Sequence, residues 1–322
     1  MARKKLLFIF NPWSGKAQVK QKLFDIIDRF VKAGYQVTVH PTQEKLDARN
    51  VAKKSAKKFD VIVASGGDGT MNEVVDGLME CEKRPLLGYI PTGTVNDFAS
   101  SLKISKNIMK AVDGILQGKT FACDIGSFNE EYFTYVAAFG AFTDVAYQTP
   151  QQSKNMLGKM AYVLEGMKRL GNLQAYPMRV EYDGNVIEEN FLFGMVTNST
   201  SVGGFKGISG KGVKMDDGLF EVSLIKMPKN PLEMQMIINS LLTREPNEYV
   251  HSFRSGEIHF YSETPVPWTL DGEYGGSIQQ AVIHNHKQAI SILTTKEQSK
   301  SEVKKEEKQP NPAAENSSAA GV

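Results

Sequence analysis

Apolar positions in the first third of the chain fall into two alternating patterns. Residues 6–10 form a short continuous apolar run that stops at Asn11-Pro12, as a strand buried on both faces would. Leu23, Ile26, Ile27 and Phe30 then recur at helical spacing up to Gly34. Residues 36–40 read as a second strand, 48–58 as a polar helix and 60–64 as a third strand. A further helix over 71–80 carries Val74, Val75 and Leu78 on one face, and 86–90 reads as a fourth strand. Strands alternating with helices predict a doubly wound parallel sheet, in which ligands bind beyond the carboxyl ends of the strands.

From about residue 120 the pattern changes. Segments 121–125, 132–138, 178–182, 191–196, 219–225, 257–261 and 281–284 read as strands separated by Gly, Asn and Asp. Asp183-Gly184-Asn185 is a hairpin signal, and one helix is expected around 159–170. This half predicts an antiparallel sandwich or flattened barrel. Residues 231–242 form an apolar helix, better explained by core packing than by a lipid-contacting face. From Lys296 onward Lys, Glu, Ser, Pro and Ala dominate, a composition that cannot bury enough surface to fold and predicts a disordered tail. The expected division is therefore residues 1–120, rejoined by a last strand near 288–295, then 121–287, with 296–322 as the tail.

Composition narrows this picture only modestly. The 322 residues are 41% hydrophobic and 23% charged, ordinary for a globular chain of about two domains. A formal net charge of +2 gives no overall basic field and argues against nucleic acid. Basic residues do cluster, at Arg3-Lys4-Lys5, at Lys53, Lys54, Lys57 and Lys58, and at Lys154, Lys159, Lys168 and Arg169. Each cluster alone reads as a solvated face; together they would suit an anionic membrane surface. Cys81 and Cys123 have no metal-binding spacing and fit a reducing cytoplasm. No stretch approaches the roughly 20 apolar residues of a membrane-spanning helix, so a lipid-handling protein of this sequence would visit the bilayer peripherally.

Three polar, glycine-bearing loops follow predicted strands on one edge of the first sheet. Gly66-Gly67-Asp68-Gly69-Thr70 frees the backbone to approach a ligand and aims helix-start N–H groups at it, a natural phosphate site. Asp68 there makes sense if it holds Mg²⁺ beside phosphate oxygens; a tight turn with an Asp cap is the simpler alternative. Asn11-Pro12-Trp13-Ser14-Gly15-Lys16 lacks the full P-loop pattern but offers Ser14, the Gly15 amide and Lys16 at a helix start. Pro91-Thr92-Gly93-Thr94-Val95-Asn96-Asp97-Phe98-Ala99 adds two Thr hydroxyls, with Asn96 or Asp97 able to cap the next helix. Jointly the loops predict a Rossmann-like nucleotide-binding domain.

Asn-Pro-x-Ser-Gly, Gly-Gly-Asp-Gly-Thr-x-Asn-Glu-Val and Pro-x-Gly-Thr-x-Asn-Asp-Phe-Ala together resemble the catalytic domain of the diacylglycerol, sphingosine and ceramide kinase superfamily. The length and second half are similar to its soluble bacterial diacylglycerol kinase branch, and the resemblance spans about residues 3–295. It implies ATP as phosphoryl donor, contacted by Asn11, Pro12, Trp13, Ser14, Gly15, Thr42, Gly66, Gly67, Asp68, Gly69, Thr70, Asn72, Glu73, Thr92, Gly93, Thr94, Asn96 and Asp97. It also implies a membrane lipid acceptor, diacylglycerol first, and an anionic membrane surface; a second copy of the chain is a candidate partner. The family's bacterial members can carry an anchoring lysine where Glu165 stands here, one turn before Lys168 and Arg169.

Asp271-Gly272-Glu273 by spacing alone reads as a hairpin turn. The resemblance makes Glu273 the general base that accepts the lipid hydroxyl proton, and Asp271 a carboxylate supporting it or the metal. Asp124 matches a carboxylate directed to the active-site Mg²⁺ through water, with a strand-end cap equally open. Lys214-Met215-Asp216-Asp217-Gly218-Leu219 resembles a structural Mg²⁺ site, with the Asp217 side chain and the carbonyls of Lys214 and Leu219 as ligands; a plain Asp-Gly turn is the alternative. Undecaprenol, sphingoid bases and phosphatidylglycerol stand behind diacylglycerol as acceptors. A soluble NAD kinase-like enzyme and a catalytically silent ATP-sensing or membrane-binding module are the competing readings.

Overall fold

The computed structural model describes residues 3–140, 173–202, 205–206, 213–243, 245 and 247–295. The helix expected over 159–170, Glu165 and the tail beyond 295 lie outside the described residues.

The first unit is a parallel sheet in the order β2(Gln36–Pro41), β1(Lys5–Phe10), β3(Val61–Gly66), β4(Leu86–Pro91). Successive side chains of a strand point to opposite faces, so the apolar run of β1 feeds two cores at once. Leu6, Phe8 and Phe10 pack with α1(Gln18–Lys32) and α5(Ile108–Leu116), through Ile26, Phe30, Val112 and Ile115. Leu7 and Ile9 pack on the other face with α2(Asp47–Ser55) and α3(Asp68–Met79), through Ala52, Met71, Val74 and Leu78. A short α4(Asp97–Ser101) lies between β4 and α5.

The second unit is an antiparallel sandwich, completing the α/β plus β-sandwich architecture. β12(Phe220–Lys226) pairs with β9(Asn185–Thr197) and β13(Val250–Ser255); β8(Tyr176–Tyr182) pairs with β9 and β14(Glu257–Leu270). Trp268 is buried in its core, with ring centroids 5.0, 4.8 and 5.1 Å from Phe128, Phe139 and Phe260. α6(Pro231–Thr243) sets Met234, Ile237, Ile238 and Leu241 into a separate cluster and leaves Leu232, Met236 and Leu242 exposed.

The 21-residue β15(Glu273–Leu293) joins the units. Its early residues pair antiparallel with β14, and Ile292 and Leu293 pair parallel with Leu87 and Gly88 of β4. β5(Thr120–Phe128) runs antiparallel beside it, interrupted by an irregularity between His286 and Ile290, where Gln288 has φ 53°.

Four expectations of local structure are revised. The strand expected over 132–138 is two, β6(Glu131–Phe133) and β7(Val136–Gly140), because a side chain captures the amides between them. The strand expected over 257–261 continues to Leu270, and that over 281–284 is the middle of β15. The helix expected over 71–80 starts at Asp68, so the acidic residue of the glycine loop occupies the first turn, where a helix dipole favours it.

Candidate active site

The three loops meet backbone to backbone. Gly15 has φ 56°, and a Cβ there would lie 1.8 Å from the Thr92 carbonyl oxygen. A Cβ on Gly93 would lie 2.5 Å from the Gly67 Cα. Only glycine permits both approaches, the first also because of its left-handed backbone. The Asn11 amide donates to the Ser65 carbonyl at 2.8 Å, and the Thr92 amide donates to Gly66 at 2.8 Å. Asn96 also stands in the left-handed region (φ 58°); its side chain accepts from the Gly93 amide at 2.9 Å and donates to the Gly93 carbonyl at 2.6 Å.

Most carboxylates of the motifs are spent on backbone amides. Asp68 accepts from the amides of Asp97 (3.1 Å) and Phe98 (3.3 Å), holding the start of α4 from the start of α3. Burial pushes its carboxyl above the usual range, while the amides of Asp97, Phe98 and Asn96 pull it down. Glu73 accepts the Leu46 amide at 3.0 Å and thereby holds the start of α2; burial raises its carboxyl as well. Asp97 is buried and accepts from Ser201 Oγ at 2.6 Å, tying the third loop to the second unit. Asn72 keeps a buried side-chain oxygen, and Thr92 a buried hydroxyl, without a hydrogen-bond partner. The Thr42 amide donates to the Phe10 carbonyl at 2.9 Å.

Asp124 is sequestered too. Its oxygens accept the amides of Gly218 (2.6 Å) and Gln288 (2.7 Å), binding the irregularity of β15 to the 214–219 segment. Burial raises its carboxyl, with the charges of Asp217 and Asp216 adding to the effect. The Asp217 carboxylate takes the Leu219 amide at 3.2 Å and Arg254 Nη2 at 2.5 Å. Arg254 also donates to Glu221, which burial lifts to about 7. The 214–219 segment therefore balances its negative charge with a guanidinium. Among the described residues no three His, Cys, Asp or Glu side chains converge on a metal-sized position.

The Asp271-Gly272 turn is a true hairpin: both residues have positive φ (48° and 88°), and Leu270 pairs with Glu273 across it. Asp271 is buried and accepts four hydrogen bonds: from the Thr134 amide (2.6 Å), Thr134 Oγ1 (2.7 Å), the Tyr135 amide (2.9 Å) and the Val136 amide (3.0 Å). Burial lifts its carboxyl to about 6 against the pull of those donors. Asp271 thus anchors the turn that carries Glu273, in keeping with the supporting one of the two roles the resemblance implies for it. Its anchoring is also what splits β6 from β7.

Glu273 faces the crevice. It lines one open cleft with Asn11, Trp13, Thr42, Thr70 and Glu73, residues that arrive from β1, β2, α3 and the hairpin. Its Oε1 would lie 3.3 Å from a Cβ on Gly69, so it stands over the first turn of α3. Its Oε2 accepts from Lys45 Nζ at 3.0 Å. Lys45 escaped the sequence reading. Its one signal was a place three residues beyond Thr42, and nothing local reveals a partner 228 positions away.

A doubly wound domain with three interlocked glycine loops, and a carboxylate delivered over them by a sandwich domain, defines a phosphotransferase of the two-domain α/β-plus-sandwich kind. Residues 5–128 match the diacylglycerol kinase catalytic domain, and residues 137–294 match the YegS C-terminal NAD kinase beta sandwich-like domain. The diacylglycerol kinase of Bacillus subtilis (strain 168) is 35% identical over 298 residues, covering 91% of this chain and 97% of that one. The diacylglycerol kinase of Staphylococcus aureus (strain bovine RF122 / ET3-1) is 38% identical over 279 residues, covering 86% and 88%. A crystal structure from Bacillus anthracis str. Sterne, described as a candidate diacylglycerol kinase, superimposes with a TM-score of 0.77 at 25% identity, over 91% of this chain and 98% of that one. The chain belongs to the diacylglycerol kinase family and is a lipid kinase of that family.

Proposed function

We propose that the protein transfers the γ-phosphoryl group of ATP to the free hydroxyl of diacylglycerol, giving phosphatidic acid, with Glu273 as general base. The observation that carries this reading is the cleft in which Glu273 stands over the glycine loops. Phosphoryl transfer asks a protein chiefly to place two oxygens and neutralise charge. The amides at the starts of α1 and α3 and the Thr92-Gly93-Thr94 turn would receive the phosphates, with Asn11, Thr42 and Thr70 along the cleft wall. Glu273 would orient the acceptor hydroxyl and take its proton late in the transfer.

Mg²⁺ fits the donor set at Asp68. Its oxygens accept the amides of Asp97 and Phe98 at 3.1–3.3 Å, and a nearby cation would favour the ionised form that burial disfavours. A bound Mg²⁺ would supply charge neutralisation to the phosphate oxygens. A second, structural ion on the Asp217 side chain and the carbonyls of Lys214 and Leu219 would compete with Arg254, which donates to Asp217 at 2.5 Å. Asp124 is read as a brace of the β15 irregularity.

Among the described residues no helix is long and apolar enough to cross a membrane. We therefore propose peripheral association with an anionic membrane surface on its cytoplasmic side, with residues 1–120 and the end of β15 forming the ATP-binding part and 121–287 the lipid-facing part. The test is transfer from γ-labelled ATP with Mg²⁺ to diacylglycerol in mixed micelles, with and without anionic phospholipid. Label in phosphatidic acid, increased by anionic lipid, is expected. E273Q should lose roughly 10²–10⁴-fold in kcat while still binding ADP. Wild-type turnover by E273Q would remove Glu273 from the base role.

A further inference from the structure

We infer that Lys45 is a positioning residue for Glu273: it holds one carboxylate oxygen so that the other stays over the first turn of α3. This deepens the proposed function and rests on its reading of Glu273 as the base.

The hairpin fixes the backbone of Glu273 through the Leu270–Glu273 pair, but leaves the side chain exposed and free to rotate. Glu73 lines the same cleft, and its charge is fixed there by the Leu46 amide. Like charges in one cleft repel, which would swing Glu273 away from Glu73 and off the nucleotide loops. Lys45 supplies the opposing cation. Its ammonium lies 3.0 Å from Glu273 Oε2, while Oε1 is the oxygen over Gly69. The two oxygens of one carboxylate thus have separate duties, one held and one presented.

The backbone that carries Lys45 is itself clamped. The Gln43 amide donates to Asp47 Oδ2 at 2.8 Å, the Thr42 amide to Phe10, and the Leu46 amide to Glu73. Leu46 is held at φ 66°, a conformation that an L residue adopts only when its surroundings impose it. A segment constrained at both flanks aims Lys45 across the cleft, whereas a mobile link would not. Glu73 therefore does two things: it holds the link carrying the cation, and it supplies the charge that the cation offsets.

An ion pair this exposed contributes little to folding stability. Its consequence should appear in turnover, which depends on where the base stands. The full-length protein would be compared as wild type, K45M, K45R, E273Q and K45M/E273Q, reading kcat, KM for ATP and Tm. K45M should lose on the order of tenfold in kcat, with KM for ATP and Tm unchanged. K45R should recover most of that loss, and K45M should add nothing in the E273Q background. A normal kcat in K45M beside an inactive E273Q would overturn this inference alone. So would a raised KM for ATP with kcat intact, which would make Lys45 a nucleotide contact. Wild-type turnover by E273Q would overturn the base assignment and this inference with it.

Discussion

Asp271 gives the sharpest test of how the site is held. Its carboxyl stands at about 6 in the fold against an ordinary 3.8, so the folded state binds the proton more tightly than the unfolded chain does. Between those values the native protein carries more bound protons, and stability falls as pH rises. The favourable contribution is fully present below 3.8 and is lost as pH climbs through 6. A difference of about 2 pH units corresponds to about 3 kcal/mol. Asn at this position cannot titrate, so D271N lacks this dependence. The four donors add a pH-independent penalty, because one amide oxygen cannot serve them all and each buried donor left unpaired costs about 1–3 kcal/mol. Urea unfolding of wild type and D271N at pH 4.5, 6 and 8 separates the two effects. Wild type should exceed D271N most at pH 4.5, with the gap shrinking toward pH 8 by about 2 kcal/mol. Other carboxylates cancel in the difference. A gap constant across that range, or one that widens with pH, would refute the account of Asp271 as a carboxylate raised by burial. D271N should also lose kcat, because the turn it anchors presents Glu273.

Two further outcomes follow from contacts away from the base. G93A would drive a Cβ to within 2.5 Å of the Gly67 Cα, where backbone cannot yield; it should destabilise by about 1–3 kcal/mol and weaken ADP binding, measured by calorimetry, and normal affinity would show that the loops do not interlock. R254M removes the guanidinium shared by Asp217 and Glu221, and Glu221 already stands at about 7 through burial. Its ionised form then loses its partner, so the stability lost relative to wild type, about 1–3 kcal/mol, should be larger at pH 8 than at pH 5 by denaturant unfolding; an equal loss at both would argue against the pair.

How much of this could be read from the chain follows the range of the forces involved. Periodicity placed β1 to β4 and the helices between them, because burial on one or two faces is written into neighbouring residues. The three glycine loops could be located for the same reason: a strand, a glycine and a helix start are local features. The motif resemblance supplied Glu273, which spacing alone would have left as part of a hairpin. What the motifs could not reveal is that Asp68, Glu73, Asp124 and Asp271 all turn their oxygens onto backbone amides from other segments. A carboxylate's partner is chosen by desolvation: once buried, it must take whatever donors surround it. Those donors are assembled only when distant strands meet. Local turn chemistry and face-by-face burial were therefore determined by the sequence itself. Which acid braces the fold and which faces the cleft was decided by tertiary packing, as was the pairing of Lys45 with Glu273, because both depend on contacts between residues far apart along the chain.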